Sequence, residues 1–149
     1  MKHWLTNILI LTLWLGNYLN LLIVHEDRVI QPTGDVITTE GETVTLDCTF
    51  ETTSSSPTLF WYKQGVNDFP KYMLKCFSNT ADEAPEFKTD RFDAKINKTS
   101  VPLKIQKLQL SDSAVYYCAL SMPGDSNSMS LRATLENENH IKGQTFYIY

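Results

Sequence analysis

With 149 residues the chain has room for one domain with a sizeable core, and its net charge of −4 (Lys+Arg 13, Asp+Glu 17) argues against a nucleic-acid partner. The single charged residue of the first 24 positions is Lys2, so without that stretch the balance falls to −5. Gly-rich phosphate loops, metal-spaced Cys/His sets and Gly-x-Ser-x-Gly elbows are all missing from the sequence. Beyond the first 24 residues the only histidines are His25 and His140, so neither an enzyme nor a cofactor is expected.

Met1-Lys2-His3 followed by the apolar run Trp4 to Leu15 reads as the start of a secretory signal peptide, residues 1–24, with cleavage somewhere in 16–28. Asn17 and Asn20 interrupt the apolar stretch that would otherwise reach Val24, which weakens the alternative of a retained membrane anchor. Val29-Ile30-Gln31-Pro32 is a short edge strand, since Pro32 has no N–H to give a ladder. Val36-Ile37-Thr38 is a second piece. Val44, Leu46, Cys48 and Phe50 then alternate with Thr45, Asp47 and Thr49, the period of a half-buried strand.

Glu51 to Pro57 is rich in loop formers, and Leu59, Trp61 and Lys63 alternate with Phe60, Tyr62 and Gln64. With Trp61 facing the core, Tyr62 and Gln64 face outward. Phe69 to Phe77 continues the same sheet, and Ser78 to Pro85 is a polar, acidic loop. Phe92, Ala94 and Ile96 share one face, as do Val101, Leu103 and Ile105. The last clear strand is Ala114 to Ala119, in which Ala114, Tyr116 and Cys118 point one way and Val115 and Tyr117 the other.

Cys48, then Trp61, then Asp112-Ser113-Ala114-Val115-Tyr116-Tyr117-Cys118 is the order that marks immunoglobulin domains. Phe60-Trp61-Tyr62-Lys63-Gln64, the run from Pro102 to Cys118, and Ala119-Leu120 narrow the match. The chain resembles the T-cell receptor alpha/delta variable segments, of the immunoglobulin V-set, over residues 27–120. That resemblance implies an all-β Greek-key sandwich whose two sheets are joined by a Cys48–Cys118 disulfide, with Trp61 packed on the bridge. It implies a tyrosine corner at Tyr116 and an ion pair between Arg91 and Asp112. Three cysteines, two of them so paired, suit an oxidising compartment. Cys76 is left over: an odd cysteine points to an intermolecular bond or a free thiol, and an inert thiol within the strand is the plainer reading.

The resemblance further implies that Tyr62, Gln64 and Tyr117 meet a second variable-domain chain of beta or gamma type. Antigen loops fall at Thr52, Thr53, Ser54, Ser55 and Ser56, at Ser78, Asn79 and Thr80, and from Ala119 and Leu120 onward. The expected ligand is a peptide on a major-histocompatibility molecule, bound at the extracellular face of the plasma membrane after passage through the secretory pathway. Signalling subunits would act through a constant region that this sequence does not contain. Asn97-Lys98-Thr99 is a glycosylation acceptor sequence. A different reading is a germline-fixed innate or adhesion receptor with the same kind of domain.

Ser121 to Tyr149 has no Phe-Gly-x-Gly, the joining-segment signature; Gly143-Gln144-Thr145-Phe146 has the wrong order. The expectation is an unrearranged variable segment whose residues 121–149 are a non-homologous tail, disordered or read-through, with the final strand missing or irregular. Thr145 to Tyr149 is apolar enough to pair beside the strand of Cys118 as a makeshift replacement, because that strand's edge is otherwise open.

Overall fold

The computed structural model describes residues 2–21, 27–32, 34–88, 90–121 and 144–148. Helix α1 (Lys2–Leu21) leads the chain, and its large apolar side chains from Trp4 to Leu15 are exposed. No described helix is long and apolar enough to cross a membrane.

Eleven strands follow: β1 (Arg28–Ile30), β2 (Val36–Thr38), β3 (Val44–Leu46), β4 (Thr49–Glu51), β5 (Thr58–Gln64), β6 (Lys71–Phe77), β7 (Thr80–Glu83), β8 (Phe92–Ala94), β9 (Leu103–Ile105), β10 (Ala114–Leu120) and β11 (Gln144–Ile148). One layer is the six-stranded sheet β2-β11-β10-β5-β6-β7. The other is built from β3-β9-β8 and from β1-β4, β3 and β4 being successive pieces of one path broken at Asp47-Cys48. The run from Val44 to Phe50 is therefore two short strands, although its alternation of buried and exposed residues is unbroken.

That alternation is what makes the sandwich. Val44, Leu46, Leu103, Ile105, Phe92 and Ala94 are buried, while Thr45, Lys104 and Asp93 between them lie on the solvent side. From the facing sheet come Leu59, Trp61, Leu74, Cys76, Ala114, Tyr116 and Cys118. Each large side chain so buried contributes roughly 1.5–3 kcal/mol. Cys48 and Cys118 join the layers through a disulfide, with their Cα atoms 6.4 Å apart. Trp61 is the register partner of Cys118 on the neighbouring strand, is fully buried, and donates its indole N–H to the Val101 carbonyl at 3.1 Å.

A final strand is present, formed by the segment that the sequence offers as a makeshift replacement. β11 runs antiparallel to β10 along Ala114–Tyr116 and parallel to β2 along Val36–Thr38, with Ile148 buried. The physical reason is the open backbone edge of β10, which a short apolar segment satisfies. The pairing flanks only three residues of β10. Beyond it, the Gln31 carboxamide takes over, accepting from the Cys118 N–H at 2.9 Å and donating to the Tyr116 carbonyl at 3.3 Å. The rest of the expected tail, residues 122–143, and Tyr149 lie outside the described residues.

At the base of the sandwich Asp112 is buried and accepts two hydrogen bonds from the Arg91 guanidinium, at 2.7 and 3.1 Å, and one from the Gln109 N–H at 2.9 Å. The Tyr116 hydroxyl donates to the Asp112 carbonyl at 2.7 Å, closing the corner. Lys63 reaches the same place, 3.7 Å from the carboxylate, and donates to the Ser111 carbonyl at 2.7 Å. Its parity with Leu59 and Trp61 aims it there. Burial pushes the Asp112 carboxyl up, but Arg91, the Gln109 N–H and Lys63 outweigh it and hold it below the usual carboxylate range.

Two measurements follow. Replacing both cysteines (Cys48→Ala with Cys118→Ala) opens a 70-residue loop and lowers unfolding free energy in urea by about 4 kcal/mol, whereas Cys76→Ala leaves sensitivity to reductant unchanged. Because Asp112 is depressed in the fold, its stabilisation is complete above its unfolded pKa of about 4 and is lost as pH falls through the lower folded value. Asp112→Asn costs about 3 kcal/mol at neutral pH and flattens the acid limb of a stability–pH curve.

Candidate functional site

Two surfaces stand out: the outer face of the six-stranded sheet and the loops at one end. On the face, Phe60, Tyr62 and Tyr72 form an aromatic cluster with ring centroids 6.1 to 6.3 Å apart. Tyr72 is there because of a bulge. β5 and β6 slip register between Trp61 and Tyr62, so that Trp61 pairs with Leu74 and Tyr62 with Tyr72. Met73 is the extra residue, buried, with its carbonyl accepting from the Ala84 N–H at 2.7 Å. Without the bulge Tyr72 would share the inward parity of Leu74 and Cys76.

Tyr62 is buried under its neighbours rather than laid open, and burial raises its phenol pKa. Tyr117 is half-buried and donates its hydroxyl to the Gln64 carbonyl oxygen at 2.7 Å, while Gln64 donates from its amide nitrogen to the Asp68 carbonyl at 3.0 Å. Both ends of the Gln64 carboxamide are thus engaged within the chain. Phe69, in the turn between β5 and β6, is 85% exposed and follows Asp68, whose carbonyl accepts from Gln64. No periodicity marked Phe69 or Tyr72; a large aromatic in a polar turn is the one sequence signal for the former.

At the loop end, Thr52 to Ser56 connect β4 to β5 and are held from outside the loop. The Asp27 carboxylate accepts from the Thr52 hydroxyl at 2.9 Å and from the Thr53 N–H at 3.0 Å. The Thr52 oxygen accepts in turn from the Ser54 N–H at 3.0 Å, and the Ser54 hydroxyl from the Ser56 N–H at 3.3 Å. Such side-chain bonds give a polar loop a defined backbone. Ser78 and Asn79 form the two-residue turn between β6 and β7, with Ser78 at φ 55. Thr80, read from sequence as loop, opens β7 instead, because the acidic run Thr80–Glu83 pairs with Leu74–Phe77. Ala119 and Leu120 are the last residues of β10, paired with Phe60 and Leu59, and the Ser121 N–H donates to the Thr58 carbonyl at 2.8 Å. The third loop would start there, and its residues lie outside the described ones.

Cys76 faces inward, fully buried, its thiol 3.4 Å from the Ala94 carbonyl and pushed up to about 11 by burial, with the Asp93 carboxylate adding to the effect. Such a thiol is protonated at neutral pH and unreactive. Among the described residues no three His, Cys, Asp or Glu side chains converge to hold a metal ion. The hydrogen bonds of the first loop make a prediction: Asp27→Ala speeds amide exchange at Thr53 and Ser54 by about tenfold or more, while core amides of β5 and β10 are unchanged.

The immunoglobulin V-set domain model matches residues 31–136. The chain is 47% identical over 100 residues to the T-cell receptor alpha chain V region CTL-F3 of Mus musculus, covering 66% of this chain and 72% of that one. It is 37% identical over 100 residues to T cell receptor alpha variable 9-1 of Homo sapiens, covering 66% and 85%. Among solved structures, a chain from work on the structural basis of T cell specificity and activation by the bacterial superantigen toxic shock syndrome toxin-1 superposes with a TM-score of 0.68 at 19% identity. That match covers 83% of this chain and all of the other, and it speaks to fold. A buried bridge, its tryptophan, a tyrosine corner and relatives of this kind agree: the chain belongs to the immunoglobulin V-set family, as an antigen-receptor variable domain of the T-cell receptor alpha type.

Proposed function

We propose that this domain binds a peptide held on a major-histocompatibility molecule, paired with a second variable domain of beta or gamma type, and that it acts by binding rather than by catalysis. What carries the reading is the outer face of β5, β6 and β10. An aromatic cluster and the Tyr117–Gln64 hydrogen bond share one side of the sheet, and Phe69 is exposed next to Asp68, whose carbonyl accepts from Gln64. A monomer gains little by placing these groups at its surface, and interface cores are enriched in such aromatics. The loops at Thr52–Ser56 and Ser78–Asn79 and the chain after Leu120 would then make the antigen contacts. Helix α1 would be the leader directing the domain to the secretory pathway and the extracellular face of the membrane. Signalling subunits would be engaged through a constant region.

Co-expression with candidate beta- and gamma-type variable domains tests the pairing. A heterodimer is expected on gel filtration, weakened about tenfold or more by Tyr117→Ala or Gln64→Glu, in variants whose unfolding midpoints show an intact fold. Undiminished pairing in both variants overturns the interface.

A further inference from the structure

We propose that Asn97 carries an N-linked glycan, and that this glycan covers the place where the free edges of the two sheets meet. The proposal rests on the reading that the chain enters the secretory pathway. Asn97-Lys98-Thr99 is the sole acceptor sequence in the chain. A bare acceptor sequence is a weak signal, so its setting matters. Asn97, Lys98 and Thr99 are all exposed, at the tip of the connection from β8 to β9.

The backbone of that tip is already satisfied. The Asn97 N–H donates to the Ser100 carbonyl at 2.8 Å, the Ser100 N–H returns a bond to the Asn97 carbonyl at 3.0 Å, and the Thr99 carbonyl accepts from the Phe50 N–H at 2.9 Å. Lys98 sits at φ 53, which tightens the turn. A sugar hung from the Asn97 side chain therefore needs no change of backbone and displaces none of these bonds.

The position has a consequence for the sheets. Among the described residues β8 ends one layer and β7 ends the other. The two layers touch there, since the Cys76 thiol on β6 bonds the Ala94 carbonyl on β8. Asn79, at the turn into β7, lines one shallow groove of about 590 Å³ together with Asp93, Lys95 and Asn97. Unpaired strand edges invite pairing with another chain. A branched, hydrated oligosaccharide rooted at Asn97 would overhang both edges and block that approach, and it would also limit access to the Ser78-Asn79 turn from this side.

The chemistry is a group transfer. The Asn97 amide nitrogen forms a bond to the anomeric carbon of an oligosaccharide carried on a lipid pyrophosphate. The bond from that carbon to the phosphate oxygen breaks, the lipid pyrophosphate leaves, and the amide proton passes to a base of the transferase.

The full chain is to be expressed in mammalian cells and recovered from protease-treated microsomes and from the medium. Protected wild-type chain is expected to show one downward mobility step with peptide N-glycosidase F, with peptide mapping placing the conversion of asparagine to aspartate at position 97. Thr99→Ser keeps the step; Asn97→Gln and Thr99→Ala lose it. Both unglycosylated variants are expected to sediment with at least twofold more self-associated species than wild type. Protected wild-type chain without the step overturns the glycan while leaving the receptor reading intact. A glycan whose loss does not change self-association overturns the edge-covering role. Chain destroyed by protease outside the microsomes overturns the secretory reading, and the glycan with it.

Discussion

The structure depends on the covalent clamp between Cys48 and Cys118 and on the indole of Trp61 beside it. The two layers touch through side chains that are apolar on one face only, so nothing in either sheet alone fixes how they stack. The bridge does so at one point, and Trp61 extends the contact sideways by bonding the Val101 carbonyl across the core. Around this point Leu46, Leu59, Leu74, Leu103, Ile105 and Tyr116 are buried as one cluster. A loop of this length held closed removes much of the unfolded chain's freedom, and the core built on it then has less entropy to overcome.

Polar groups are handled as strictly as apolar ones. Asp112 is a buried carboxylate, and a buried charge is tolerable only when paired and hydrogen-bonded. Arg91, the Gln109 N–H and Lys63 together meet that condition. Tyr116 ties the end of the cluster to β10 through the Asp112 carbonyl. At the opposite end the half-buried Asp27 carboxylate accepts its bonds from the loop of Thr52. One acid thus locks the base of the sandwich, and the other shapes the loop from Thr52.

The outer face of the six-stranded sheet is the surface proposed above for a partner. Its Tyr62 is buried by neighbouring rings, Gln64 and Tyr117 satisfy each other, and Phe69 stands out into solvent. The arrangement is ordered within the single domain, which would lower the entropy lost on such an association. A partner there would find the Gln64 amide already engaged within the chain.

Much of this was legible from residue order alone. Period-2 alternation predicted which residues of Val44–Phe50, Leu59–Gln64 and Ala114–Ala119 face inward, because the direction of successive side chains on a strand is a local property of the backbone. The Cys, Trp and Tyr-x-Cys wording carried the family, and with it the bridge, the corner and the Arg91–Asp112 pair. What the tertiary structure alone decided has a common origin. The bulge at Met73 turns Tyr72 outward against its parity with Leu74 and Cys76. Gln31 completes the edge of β10, Asp27 holds a loop 25 residues away, and β11, whose place beside β10 the apolar run Thr145 to Tyr149 had suggested, takes β2 as a parallel neighbour on its other side. Each depends on an unsatisfied N–H or C=O meeting a group distant in the chain, and a bond between distant groups leaves no period in the sequence to read.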